Sequence, residues 1–309
     1  MIEKVLELKN ISKKRGKTQV LTDVNFSINK GEIFGFVGRN GAGKTTLIKI
    51  ITSMLFPDKG EIIICGKNLK TEREEALKNV GSVVETPEMY GYMTGRQNLN
   101  YIASVMENVT KDEIEDAIKF SNLGIKIDEK VKKYSLGMKQ RLGLAQAIIG
   151  NVSLLILDEP TNGLDPMGVF ELKNTINTLA KEKGVSIFIS SHILSEIENI
   201  CTKVVFIDEG KIISIQQIGD KEKVSTEKNM FIKTNLPQKA SEIIQKMPNV
   251  KLFKVESDGI SILINTELHD IFEILKNLHE DGISVEGCFE VKQNLEDKFI
   301  NMMGEGSNE

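Results

Sequence analysis

Residues 38–46 read Gly38-Arg39-Asn40-Gly41-Ala42-Gly43-Lys44-Thr45-Thr46, and this run constrains the fold more than any other. It fits the phosphate-loop pattern G-x-x-x-x-G-K-[ST]. The apolar run Ile33-Phe34-Gly35-Phe36-Val37 before it predicts a buried strand, and Leu47-Ile48-Lys49-Ile50-Ile51 after it predicts the start of an amphipathic helix. Glycines let the backbone curl so that successive N–H groups point inward, and the helix adds its positive end. Lys44 is then expected to reach the β- and γ-phosphates, and the Thr45 hydroxyl to ligate Mg²⁺. The whole stretch from Gly38 to Thr46, including Arg39, Asn40, Gly41, Ala42, Gly43 and Thr46, is the expected nucleoside triphosphate loop.

A second constellation lies at Leu154-Leu155-Ile156-Leu157-Asp158-Glu159-Pro160-Thr161, an apolar strand ending in two acids. Neighbouring side chains on a strand face opposite ways, so the two carboxylates are expected to do different work. Asp158 is placed to hold Mg²⁺, directly or through water. Glu159 can orient the water that attacks the γ-phosphate and accept its proton.

The rest of the chain supplies a frame. At 309 residues it has room for two domains. The formal net charge of −4, with no block of Lys and Arg, argues against nucleic acid as the main partner. No apolar run reaches the roughly 18–20 residues of a spanning helix, and Met1-Ile2-Glu3-Lys4 does not open a signal peptide. Cys65, Cys201 and Cys288 are far apart and odd in number, which suits a reducing cytoplasm and neither a metal site nor a disulfide framework.

Strands are expected at residues 5–8, 24–28, 33–37, 61–65 and 81–85, with a polar loop around Lys14-Arg15-Gly16-Lys17. Residues 98–149 change to helical spacing and read as an insert. Strands return at 152–157, 185–190 and 203–207, the last closed by the turn Asp208-Glu209-Gly210-Lys211. Strands alternating with helices predict an α/β fold with a parallel, helix-covered sheet. A polar linker is expected at 216–226. Beyond it, strands at 230–233, 251–255, 260–264 and 284–288 with helices at 239–247 and 268–278 give β-α-β-β-α-β, a small ferredoxin-like α+β domain. A last amphipathic helix is expected at 294–303, then a disordered tail at 304–309. The expected domains are 1–220, with the helical subdomain at about 86–150, and 221–309.

The segment Tyr134-Ser135-Leu136-Gly137-Met138-Lys139-Gln140-Arg141 opens a helix with Ser as N-cap. With it the chain resembles the ATP-binding cassette (ABC) family, whose signature is typically Leu-Ser-Gly-Gly-Gln. Ser135 and Gly137 match, whereas Tyr134, Leu136 and Met138 depart from it. Asn162-Gly163-Leu164-Asp165-Pro166 looks like the D-loop, and Ser190-Ser191-His192 like the switch histidine after its strand. Five elements agree in order over roughly residues 2–220. Glu85 stands where the family has Gln, and Arg15 where many members stack an aromatic residue on adenine. Those departures, with the Ser-Leu-Gly-Met signature, look like the bacitracin/lantibiotic self-protection branch.

The resemblance implies a P-loop ATPase core and two cassettes, as a homodimer, sandwiching ATP and Mg²⁺. The phosphate loop of one would face Ser135 and Gly137 of the other. It further implies that His192 contacts the γ-phosphate, Asp165 couples the halves, Arg15 covers the base, and Glu85 reaches Mg²⁺ beside Thr45 and Asp158. The expected function is the ATPase subunit of an exporter of an antimicrobial peptide or hydrophobic drug. It would sit on the cytoplasmic face of the membrane and serve a separate permease. The alternative is a soluble cassette ATPase acting on ribosomes or nucleic acid. That class usually carries a second cassette, a long coiled-coil insert or a basic arm, and the sequence shows none of these. The C-terminal domain gives no functional signal of its own, and a regulatory or dimer-stabilising role is an expectation by analogy.

Overall fold

In the computed structural model of the chain, the described residues are 3–85, 87–198, 200–218, 227–247, 250–265 and 271–290. They fall into two compact units, Met1–Ile218 and Gly219–Glu309. The expected helix at 294–303, the tail at 304–309 and most of the expected linker lie outside the described residues.

Strand β3 (Ile33–Val37) is buried at all five positions, as a strand covered on both faces must be. The same holds for β7 (Leu154–Asp158) and β8 (Ser186–Ser191). With β6 (Val80–Val83), β9 (Lys203–Asp208) and β10 (Lys211–Gln217) they form a six-stranded sheet in the order β10-β9-β3-β8-β7-β6. The β9-β3, β3-β8, β8-β7 and β7-β6 pairs are parallel, and β10 is antiparallel to β9. Because β3, β8 and β7 are parallel neighbours, their C-terminal ends emerge at one edge. Open α/β sheets place ligands at that edge.

A second sheet is wholly antiparallel, in the order β2-β1-β4-β5, from β1 (Lys4–Arg15), β2 (Thr18–Asn29), β4 (Lys59–Ile64) and β5 (Lys67–Asn68). Here the structure corrects the expected loop at Lys14 to Lys17. The strands run on to a two-residue turn, with Arg15 opposite Thr18 and Gly16 at φ +60°. Polar residues there reflect an exposed hairpin tip and not an absence of pairing.

Helix α1 (Lys44–Ile51) lies in the core between these sheets, with Leu47, Ile48, Ile50 and Ile51 fully buried. Each such side chain contributes about 1.5–3 kcal/mol of transfer free energy. Phe26 of β2 joins the layers by stacking on Phe34 (centroids 4.8 Å apart), and Phe188 lies 5.7 Å beyond. The strand feeding the phosphate loop is therefore anchored by an aromatic cluster.

After the short helix α2 (Arg73–Leu77), the helical insert contains α3 (Gly95–Ser104), α4 (Lys111–Ser121) and α5 (Leu136–Ala147). Thr94 with Gln97 and Thr110 with Glu113 form capping boxes, and the Ser135 hydroxyl caps α5. The insert has its own apolar core, including Leu99, Ala117, Ile127, Val131 and Leu142. Of the elements that the sequence reading does not name, two are substantial. Helix α6 (Pro166–Lys183) has Asp165 as N-cap, Pro166 in its first turn and left-handed Gly184 as C-cap. Strand β10 follows the turn after β9, in which Glu209 (φ +44°) and Gly210 (φ +77°) reverse the chain as a hairpin. A short helix, α7 (Leu194–Glu198), follows β8.

The smaller unit contains β11 (Glu227–Thr234), α8 (Pro237–Ile244), β12 (Val250–Val255), β13 (Gly259–Asn265), α9 (Ile271–Glu280) and β14 (Val285–Glu290). Its sheet is antiparallel in the order β12-β13-β11-β14, the ferredoxin-like arrangement. Ile232, Ile260 and Ile262 pack under Ala240, Ile244, Ile274 and Leu278.

Candidate functional site

The loop from Gly38 to Lys44 leaves β3 and turns directly into α1. Gly41 (φ +86°) and Gly43 (φ +106°) occupy backbone conformations that L side chains rarely adopt. A Cβ on Gly43 would also meet Leu21 Cδ2 at 2.8 Å and the Val20 carbonyl oxygen at 2.9 Å. Gly43 offers no side-chain cap to α1, and the first turn carries no acid. The free N–H groups and positive helix end are thus left facing the loop, as an anion site requires. Arg39 and Asn40 are exposed, Ala42 is buried, and Thr45 and Thr46 are half-buried.

Lys44 is 6% exposed, and its Nζ donates to the carbonyls of Gly38 (2.7 Å) and Arg39 (3.3 Å). The same ammonium lies 3.2 Å from Glu159 Oε1. Glu159 Oε2 in turn lies 2.7 Å from His192 Nδ1. Lysine from the first turn of α1, carboxylate from the end of β7 and imidazole from the end of β8 form one chain of contacts.

Asp158 is the last residue of β7 and is 7% exposed. The Ser190 hydroxyl donates to its Oδ1 at 2.6 Å and accepts the Glu159 N–H at 2.9 Å. The expectation that two strand neighbours diverge by pleating needs correction. Glu159 has φ +48°, so the chain leaves the strand between the acids, and that twist carries Glu159 toward Lys44 and His192. Ser190 was noted in the sequence as part of the segment before His192, yet its role in holding both acids depends on β7 and β8 being neighbours.

Glu85 is not brought into this cluster. It follows β6 at φ +64°, is exposed, and pairs with Lys49 Nζ of α1 at 2.8 Å. The hydrogen bond and charge of Lys49 hold its carboxyl below the usual range. Arg15 is exposed at the β1–β2 tip, opposite Thr18, on the hairpin whose Val20 carbonyl abuts Gly43.

Ser135, Gly137 and Asp165 meet elsewhere. They line a groove of about 380 Å³ with Gln140, Arg141 and Glu171, and no phosphate-loop residue lines it. Ser135 Oγ accepts the Met138 N–H (3.3 Å) and Asp165 Oδ1 the Gly168 N–H (2.8 Å), so both residues are helix caps. A single chain therefore carries the parts in two places: phosphate loop, acids and histidine at the sheet edge, and the signature segment at the N-terminus of α5.

The family model described as ABC transporter matches residues 21–162. The chain is 37% identical to the ABC transporter ATP-binding protein YhcH of Bacillus subtilis over 306 residues, 99% of this chain and 98% of that one. It is also 37% identical to the bacitracin transport ATP-binding protein BcrA of Bacillus licheniformis over 304 residues, 98% of each. The lantibiotic transport ATP-binding protein SrtF of Streptococcus pyogenes is 41% identical over 210 residues, 68% of this chain and 89% of that one. Among solved structures, an ATP-binding subunit of an ABC transporter superposes with a TM-score of 0.63 at 31% identity, covering 70% of this chain and 91% of the other. With the phosphate loop, the acid pair and the strand order in place, the chain belongs to the ABC transporter family, as an ATP-hydrolysing, ATP-binding subunit of P-loop α/β fold.

Proposed function

We propose that this chain powers export of an antimicrobial peptide or hydrophobic drug through a separate membrane permease, as one of two identical cassettes. The observation that carries the reading is the Lys44–Glu159–His192 contact chain at the sheet edge, with the signature held in a separate groove. Full-length similarity to a bacitracin transport ATP-binding protein supports the cargo class.

In this reading the triphosphate lies along the loop from Gly38 to Thr46, with N–H groups of the α1 N-terminus and Lys44 on its oxygens. Arg15 at the hairpin tip covers the base. Mg²⁺ would be held by the Thr45 hydroxyl and Asp158, with Glu85 in reach once it leaves Lys49, and would neutralise charge on the β- and γ-phosphates. Ser190 keeps Asp158 aimed by donating to its Oδ1. Glu159 takes the proton of the attacking water, and His192 orients that carboxylate and contacts the γ-phosphate.

Ser135 and the Gly137 N–H close the site from the second copy, and Asp165 at the head of α6 links the halves. ATP then acts as the adhesive of the dimer, and loss of its γ-phosphate releases it. No helix among the described residues is long and apolar enough to cross a membrane. The cassette is proposed to work at the cytoplasmic face, docked on its permease. The exposed tyrosines Tyr90, Tyr92 and Tyr101, five or more residues beyond Glu85, cluster with Tyr90 and Tyr101 5.1 Å apart and suit that docking.

The experiment is peptide tolerance of cells producing this chain with its permease. Raised tolerance to a bacitracin- or lantibiotic-type peptide, abolished by Glu159→Gln, is expected. Unchanged tolerance with a fully active ATPase would overturn the cargo assignment.

A further inference from the structure

The Arg141–Glu171 ion pair spans the groove between α5 and α6 and has no part in the nucleotide contacts described above. Arg141 lies six residues after the cap Ser135, and Glu171 six residues after the cap Asp165. Each is therefore about 9 Å down its helix from the capped end. The two side chains are 18% and 33% exposed, and Arg141 Nε is buried without a hydrogen-bond partner. Solvent therefore weakens the pair less than a fully exposed one.

What the pair joins is specific. At the head of α5 are Ser135 and Gly137. The head of α6 runs back through two turns, Leu164 N–H to the Thr161 carbonyl (3.1 Å) and Asn162 N–H to the Glu159 carbonyl (3.2 Å), to the acid at the end of β7. Above the pair the two segments touch directly. A Cβ on Gly163 would meet Leu136 Cδ2 at 2.7 Å, and one on Gly137 would meet Leu164 Cδ2 at 3.6 Å.

We infer that Arg141 and Glu171 are positioning residues that fix Ser135 and Gly137 to the Glu159–Asp165 segment of the same chain. Movement of one segment is thereby transmitted to the other across the groove. This rests on the proposed ATP-bound dimer, in which Ser135 serves the partner's nucleotide while Glu159 serves its own chain's.

The test combines sedimentation and steady-state kinetics on the full chain. In a Glu159→Gln background, adding Glu171→Gln should raise the protein concentration needed for ATP-dependent dimerisation by about tenfold, the scale of one coupled contact. With Glu159 intact, Glu171→Gln should lower kcat by a similar factor while KM for ATP moves less than about twofold. The charge-swapped pair Arg141→Glu with Glu171→Arg should restore most of both losses, which general destabilisation would not allow. If Glu159→Gln alone fails to dimerise in ATP, the proposed function falls and this inference with it. If it dimerises and the Glu171→Gln addition changes nothing, or if the swap restores nothing, the positioning role alone is overturned.

Discussion

Replacing Glu159 by Gln should tighten metal-free ATP binding by the single chain, apart from its effect on turnover. Glu159 Oε1 sits 3.2 Å from Lys44 Nζ, and the two side chains are 17% and 6% exposed. The Coulomb attraction at that distance is about 5 kcal/mol at an effective dielectric near 20. Desolvation of both charges offsets much of it, leaving about 1.5–3 kcal/mol for a hydrogen bond to a charged group. An incoming triphosphate must take the ammonium away from this carboxylate. A glutamine keeps a hydrogen bond from the ammonium but loses the charge–charge attraction, so on the order of 1 kcal/mol of competition disappears. Affinity should rise about fivefold, and loss of repulsion between carboxylate and phosphate acts in the same direction. Titration of a fluorescent ATP analogue in EDTA, at protein concentrations where wild type sediments as one chain, measures this. Equal or weaker binding by the variant would refute the view that Glu159 holds Lys44 back.

Three further outcomes follow from the same geometry. Gly43→Ala should lose ATP binding while folding with about 1–3 kcal/mol less stability, because φ +106° and contacts at 2.8–2.9 Å both oppose a Cβ; calorimetry and a binding titration read the two effects. Wild type should depend on Mg²⁺ more steeply than Glu85→Gln and bind metal-free ATP less well, and Lys49→Met, which frees the carboxylate, should exaggerate both; superimposable Mg²⁺ titrations would remove Glu85 from the metal's surroundings. Arg15→Ala should weaken ATP and GTP alike, by roughly 0.5–2 kcal/mol if the guanidinium lies over the base; unchanged affinity for both would place Arg15 in solvent.

The nucleotide loop was legible because its chemistry is local. One strand, two special glycines and a helix start within fourteen residues mark it as the proposed place of the phosphates, and Gly41 and Gly43 have the positive φ that glycine alone adopts readily. The acid pair and His192 could be named from their runs, but not their meeting. That depends on β3, β8 and β7 being adjacent and parallel, a property of strand order that no single segment carries. The pairings of Lys49 with Glu85 and Arg141 with Glu171 link residues 36 and 30 positions apart on different elements, and neither partner carries a local signal of the other. Helix α6 and strand β10 are different. Asp165-Pro166 with Gly184 marks a helix's ends, and Glu209-Gly210 marks a hairpin, so both elements carry local signals in the sequence.

The central claim is that the signature segment of one copy completes the nucleotide site of another. Mass determination of Glu159→Gln by sedimentation in saturating ATP and Mg²⁺ tests it most directly. General-base loss should slow hydrolysis about 10²–10⁴-fold, so the ATP-bound form persists through the run. The account predicts twice the 34.5 kDa chain mass in ATP and the single mass in ADP. It also predicts a return to the single mass when Ser135→Arg is added to the same chain. A single mass with ATP demonstrably bound, or a dimer indifferent to both ATP and Ser135→Arg, would contradict it.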